Sequence, residues 1–215
     1  MLVRDRMTAN PTTVRPGSDP MAAQTLLRYA KFGRLPVVDE NGQLVGIVTA
    51  SDLELFFSTA PSPGVVKRQF RVDQVMTTPV VTVSPDYPLE EAAQLMLKHN
   101  ISGLPVVEEG RLVGIITKSD IFAQLVEALG GETSSLRITV QVPDRPGQLA
   151  RVASQIAALN CNICSLLTAR AGDRVSLTMR LQGADREAIV QAIQDLPKIE
   201  VVHVWENPQP SERSA

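Results

Sequence analysis

The 215-residue chain predicts a mixed α/β (α+β) protein built as two β-α-β-β-α repeats followed by one β-α-β-β-α-β unit. Three observations predict it. First, Leu35-Pro36-Val37-Val38, a turn and Leu44-Val45-Gly46-Ile47-Val48-Thr49-Ala50-Ser51-Asp52 return as Leu104-Pro105-Val106-Val107, a turn and Leu112-Val113-Gly114-Ile115-Ile116-Thr117-Lys118-Ser119-Asp120. The copies align at an offset of 69 from Met7-Thr8 against Met76-Thr77 to Glu40 against Glu109, then at 68 because Asn41 is an extra turn residue. Second, helical spacing of apolar residues alternates along the chain with short β-branched runs. Third, after Gly130-Gly131-Glu132-Thr133-Ser134-Ser135 the pattern changes to strict alternation at Leu136, Ile138, Val140 and Val142.

Each repeat opens on an extended stretch, Thr12-Thr13-Val14 or Val80-Val81-Thr82-Val83, and a Pro-bearing turn. The helix that follows in the second copy gathers Leu89, Ala92, Ala93, Met96 and Leu97 on one face and Glu90, Glu91, Gln94 and Lys98 on the other. The runs Leu35 to Val38 and Leu44 to Val48 are continuous rather than alternating, which predicts strands covered on both faces. Asp39-Glu40-Asn41-Gly42 and Glu108-Glu109-Gly110 are tight turns between strands. A second helix follows each Thr-x-Ser-Asp.

In the last part, Asp144-Arg145-Pro146-Gly147 opens a helix with a stripe of Leu149, Val152, Ala153, Ile156 and Leu159, and Pro146 suits its first turn. Strands follow at Ile163 to Thr168 and Val175 to Leu181. A helix carrying Ile189, Ala192, Ile193 and Leu196 and a strand from Val201 to Trp205 complete a ferredoxin-like order. The expected organisation is a first repeat at 1–60, a linker at 61–71, a second repeat at 72–130, a linker at 131–135, the last unit at 136–206 and a mobile tail at 207–215.

Composition narrows the function classes. With 44% hydrophobic residues the chain can build a core in each part. A net charge of -2 without a Lys/Arg cluster argues against a nucleic-acid surface. No apolar run approaches the roughly 20 residues of a membrane span, and Met1-Leu2-Val3-Arg4-Asp5-Arg6 leaves no room for a secretory signal, so the protein is expected in the cytoplasm. Residues 1–68 carry +2, residues 69–130 carry -4 and residues 131–215 carry 0, so the two copies are electrostatically unlike. Cys161-x-x-Cys164 lacks two further zinc ligands, and it leaves a helix to enter a strand, the reverse of a redox motif; the pair reads as ordinary thiols. His99 and His203 stand beside no partner in any catalytic motif, so no catalytic residue, metal or catalytic cofactor is expected.

Thr-x-Ser-Asp at the end of a strand and the start of a helix is a place for a ligand. A carboxylate at Asp52 or Asp120 can accept from both hydroxyls of a ribose, and Thr49 and Ser51, or Thr117 and Ser119, can meet phosphate oxygens together with the first N–H groups of the helix. The same pattern is also an ordinary helix cap, in which Ser or Asp satisfies orphan N–H groups. Lys118 could neutralise phosphate; copy one has Ala50 there but offers Arg34.

Met-Thr, Leu-Pro-Val-Val and Gly-h-h-Thr-x-Ser-Asp, present twice, resemble a tandem pair of CBS domains over about residues 1–130. Asp144-Arg145-Pro146-Gly147-Gln148-Leu149 with Asn160-Cys161-Asn162-Ile163 resembles an ACT domain, and the order is similar to the acetoin-utilisation B-type proteins. The first resemblance implies an adenosine nucleotide (AMP, ADP or ATP) as a regulatory ligand, with S-adenosylmethionine left open. It implies an adenine slot at Val80, Val81, Ser102, Gly103, Leu104 and Pro105, or at Pro11, Thr12, Gly33, Arg34, Leu35 and Pro36. The second implies a free amino acid near Asp144, Gly147, Gln148, Leu149, Asn160 and Asn162, or a domain that only dimerises. The expected protein is a non-catalytic sensor and homodimer, acting on an unnamed partner protein; an adaptor with degenerate pockets is the alternative.

Overall fold

A computed structural model describes residues 1–30, 33–59, 70–130, 136–183 and 185–206. Residues 60–69, which hold most of the expected linker 61–71, the linker 131–135 and the tail 207–215 lie outside the described residues. Two compact units, Met1–Phe122 and Ala123–Ala215, divide the chain. The first holds β1 (Thr8–Ala9), α1 (Pro20–Tyr29), β2 (Arg34–Val38), β3 (Leu44–Thr49), α2 (Ala50–Thr59), α3 (Leu89–Lys98), β4 (Gly103–Glu108) and β5 (Arg111–Thr117); the division falls within α4 (Lys118–Ala128).

Local chemistry sets these elements. Asp19 accepts from the Met21 N–H at 2.9 Å and Pro20 occupies the first turn of α1, satisfying one free donor and removing another. Glu90 and Glu91 open α3 and Lys98 closes it, each on the favourable end of the helix dipole. Strands β2 and β3 form an antiparallel hairpin, as do β4 and β5, turning through Gly42 (φ +79°) and Gly110 (φ +81°), where an L side chain would be strained. Both hairpins shift register at the same place, between Val37 and Val38 and between Val106 and Val107.

The two repeats exchange their leading segments. Val3, fully buried, belongs to the second copy's core with Leu89, Met96, Leu104 and Ile116, while Val72 belongs to the first copy's core with Leu27, Leu35, Val48 and Leu53. The backbone repeats the exchange in detail: Val3 N–H donates to Tyr87 O at 2.9 Å and Arg4 N–H to Pro85 O at 2.9 Å, while Val72 N–H donates to Ser18 O at 3.0 Å and Asp73 N–H to Pro16 O at 2.9 Å. Consequently β1 pairs with β5 of the other copy, Thr8 opposite Ile115 and Ala9 opposite Gly114, and Thr77 bridges Ile47 in return. Gly114 and Gly46 are bare because Met7 and Met76 lie against them, where a Cβ would overlap the thioether.

Three expectations are corrected. The stretches 12–14 and 80–83 are not strands; only Val14 and Val83 bridge, to Val37 and Val106, because Pro11, Pro16 and Pro79 deny the neighbouring backbone a ladder. Leu35 to Val38 are all buried, but along Leu44 to Thr49 only Gly46 and Val48 are, so one face of β3 is only partly covered. In α3, Leu97 is 72% exposed while Leu89, Ala92 and Met96 are buried, so the apolar stripe is narrower than the spacing suggested.

The second unit contains β6 (Leu136–Pro143), α5 (Gln148–Ala158), β7 (Asn162–Ala171), β8 (Arg174–Gln182), α6 (Arg186–Gln194) and β9 (Glu200–Glu206), with antiparallel strand order β7-β8-β6-β9. Leu136, Ile138, Val140 and Val142 point from one sheet face onto Val152 and Ile156 of α5 and Ile189 and Ile193 of α6. The helix α5 starts later than expected. Gly147, at φ +85°, is its cap, Asp144 makes no capping bond and Pro146 stands outside it; Leu149 and Leu159 are 40% and 38% exposed.

The burial on α3 generates a test. Met96→Ala should cost about 2–5 kcal/mol, as for removing a buried side chain, whereas Leu97→Ala should leave stability within about 0.5 kcal/mol. Urea unfolding of the two variants checks both.

Candidate functional site

Each Thr-x-Ser-Asp folds as a reciprocal cap. The Asp120 Oδ2 accepts from the Thr117 N–H at 2.8 Å and from its hydroxyl at 2.6 Å, and Thr117 Oγ1 accepts from the Asp120 N–H at 3.4 Å. Asp52 and Thr49 repeat this at 2.8, 2.7 and 3.2 Å. The cap is therefore the Thr, with Asp three residues on, rather than the Ser or Asp themselves. One carboxylate oxygen is occupied. The other, Oδ1, has no hydrogen-bond partner among the described residues, so the cap and a ligand contact do not compete for the same atom.

The strand β5 carries Thr117 to the edge of a cavity of about 480 Å³, within the range of small-molecule sites. Its walls come from both copies. From the first come Thr8, Asn10, Pro11 and Thr12, then Gly33, Arg34 and Pro36; from the second come Ser102, Ile115, Thr117, Lys118, Ser119 and Asp120. This crossing follows from the exchanged strand, since β1 lies on β5 and delivers residues 10–12 beside the Thr-x-Ser-Asp of the other copy.

Arg34 crosses the junction in its own way. Its Nη1 donates to Gly103 O at 3.2 Å and its Nη2 donates to Ser102 Oγ. Gly103, the counterpart of Arg34, carries no side chain, and a Cβ there would sit 2.8 Å from Nη1. Burial pushes the Arg34 pKa down from its ordinary value, because water solvates this guanidinium poorly; it stays charged.

Other named positions fall elsewhere. Leu35 and Leu104 are fully buried in the two cores, which their side chains serve. Val81 packs on the second core, and Val80 lines a separate cavity of about 340 Å³ with Pro79, Thr82 and Val107. Thr49, Ser51, Asp52, Gly103 and Pro105 are not in the wall of the larger cavity. Thr8, Asn10 and Ile115 are in it and were not singled out. Met7-Thr8 was visible as a repeated pair, but its pairing with β5 was not.

In the second unit, Asp144, Gly147, Gln148 and Leu149 stand at the start of α5, and Asn160 and Asn162 stand past its end. Eleven helical residues rise about 16 Å, so the two groups do not converge within one chain. Cys161 and Cys164 are both free thiols, and among the described residues no cluster of His, Cys, Asp and Glu could hold a metal. Among the described residues no helix is long and apolar enough to cross a membrane.

Residues 3–57 and 72–127 match the CBS domain family, spanning more than half the chain. The chain belongs to that family. Residues 134–205 match the TTHA0829-like ACT domain. The chain is 34% identical to the CBS domain-containing protein YhcV of Bacillus subtilis, over 64% of this chain and 92% of that protein. It is 41% identical to a homoserine O-acetyltransferase of Methanococcoides burtonii, over 55% of this chain but only 23% of that protein, so it spans about a quarter of that enzyme. Among solved structures it is similar to a Vibrio cholerae protein described as an acetoin utilization protein (AcuB), at 37% identity and TM-score 0.55, over 62% of this chain and 97% of that one. It is similar to the MJ0100 CBS domain pair in complex with 5′-methylthioadenosine and S-adenosyl-L-methionine, at 34% identity and TM-score 0.51, over 62% and 98%. It is similar also to CBSX2 in complex with AMP, at 32% identity and TM-score 0.52, over 59% and 96%.

The cap makes its own prediction. Without any ligand, Thr117→Ala should lower stability by about 0.5–2 kcal/mol, the usual loss of a helix N-cap. Denaturation of the ligand-free protein reads it.

Proposed function

We propose that this CBS pair is a regulatory sensor that binds an adenosine nucleotide in the cavity joining the two repeats, and that the chain itself catalyses nothing. One observation carries the reading: a single cavity is lined by Asp120, which has one carboxylate oxygen uncommitted to the helix cap, by the cationic side chains Arg34 and Lys118, and by an apolar wall at Pro36 and Ile115. In this reading Asp120 Oδ1 accepts from the ribose, the base lies against Pro36 and Ile115, and phosphate oxygens meet the first N–H groups of α4 with Ser119. The AMP complex of CBSX2 and the methylthioadenosine and S-adenosylmethionine complex of MJ0100 support an adenosine ligand. The domain boundaries that follow are a first CBS domain at 1–60, a second at 72–130 and an ACT domain at 136–206. Calorimetric titration should give a saturable isotherm with at least one of AMP, ADP and ATP. Asp120→Ala should weaken it roughly 10- to 100-fold, the loss of a charged acceptor, and unchanged binding in both Asp52→Ala and Asp120→Ala would reject the site.

A homodimer is the second part of the reading. The outer strands β7 and β9 of the four-stranded sheet each leave one backbone edge unpaired by this sheet, and Leu166 and Leu167 on β7 are exposed. The separation of Asp144 from Asn160 and Asn162 along α5 adds a reason, because an amino-acid site using both groups needs a second copy to complete it. Light scattering at micromolar protein should report twice the 23.3 kDa of one chain, and a stable 23.3 kDa species with and without nucleotide would exclude the dimer.

A further inference from the structure

The two halves of the CBS pair are built on one pattern, but their charges are not. Aligned across the repeat, Arg34 corresponds to Gly103 and Lys118 to Ala50. The crossing of the copies puts both cations into one cavity, Arg34 from the first copy and Lys118 from the second. The frame related to it by the repeat, on Thr49-Ala50-Ser51-Asp52 and Gly103, has a methyl and a hydrogen where these cations stand. Had each repeat supplied its own site, the cations would have been shared between two sites, one each.

Arg34 is also placed to be used. Its guanidinium has five N–H donors, of which Gly103 O and Ser102 Oγ take two. It is half-buried and has lost much of its water, so an anion brought against it recovers interaction that solvent no longer supplies. Lys118 is exposed at the mouth, the first residue of α4, where the helix's own N–H groups favour the same sign of ligand. Among the described residues Asp120 is the one carboxylate in the lining, and its unengaged oxygen suits a neutral diol rather than an anion.

We propose that Arg34 and Lys118 make this cavity selective for a 5′-phosphorylated adenosine over the uncharged nucleoside and over the cationic S-adenosylmethionine, and that the repeat-related frame lacks this selectivity. The inference rests on the nucleotide reading above and names the ligand class within it. Adenosine and AMP share base and ribose, so their ratio of affinities isolates the phosphate. A phosphate group of up to two charges should favour AMP by roughly 100-fold, with each cation contributing on the order of 10-fold.

The test is calorimetric titration of the full chain with AMP, adenosine and S-adenosylmethionine, for the native protein, Arg34→Gln, Lys118→Ala and the double variant. Expected is a preference for AMP over adenosine in the native protein that falls about 10-fold in each single variant and vanishes in the double variant. Thermal melting of the three variants without ligand shows that they fold. The native AMP-to-adenosine ratio at two ionic strengths needs no variant, and it should shrink as salt rises. Equal native affinities for AMP and adenosine, or a ratio insensitive to salt, would overturn the selectivity while leaving nucleotide binding intact. Binding of none of these three ligands, and of neither ADP nor ATP, overturns the nucleotide reading itself.

Discussion

Everything in the first unit depends on two valines being buried in the wrong repeat. Val3 and Val72 are each fully excluded from water, each by residues of the other copy. Burying a valine side chain is worth about 1.5–3 kcal/mol, and each is accompanied by a pair of backbone hydrogen bonds, so neither repeat holds its complete core alone. The exchange also decides where a ligand can go. Because the segment after Val3 must run back to its own repeat, residues 8–12 pass along β5 and wall the cavity beside Asp120. Packing and the candidate site are thus one constraint seen at two distances from the N-terminus.

How much of this the sequence disclosed varies with the range of the interaction. The hairpins and the strict alternation of β6 are local, set by residues within a few positions of each other, and they were legible from Leu-Pro-Val-Val, the turn glycines and the period-two run. The ACT-like order was legible for the same reason. Partner choice between equivalent segments was not, because Met7-Thr8 and Met76-Thr77 are near-identical and nothing local says which copy each will join. Hence Thr8, Asn10 and Ile115 went unnoticed as cavity residues although their neighbours were named. Leu97 and Leu149 fit a helical stripe by spacing, yet they lie at its margin, and spacing carries no information on where the facing sheet ends.

The repeated Asp illustrates how a structural and a binding role coexist. Oδ2 closes the helix cap in both copies, which requires nothing but the chain itself. Oδ1 is thereby held in one orientation by bonds already made, so a ligand meeting it has little rotamer freedom to remove. The same economy operates at Arg34, whose two bonds to the second copy fix a guanidinium that would otherwise sweep a wide arc.

The crossed position of Val3 has a consequence in time. Its core partners run from Val83 to Ile116, so during synthesis this turn meets its first partner after about 80 further residues and its last after about 110. At about 5–20 residues per second that interval is roughly 5–20 s, far longer than a hairpin needs to form. The growing chain therefore carries its leading segment unhoused through the birth of the entire first repeat. Its docking waits on the second repeat, although the segment is made before the first.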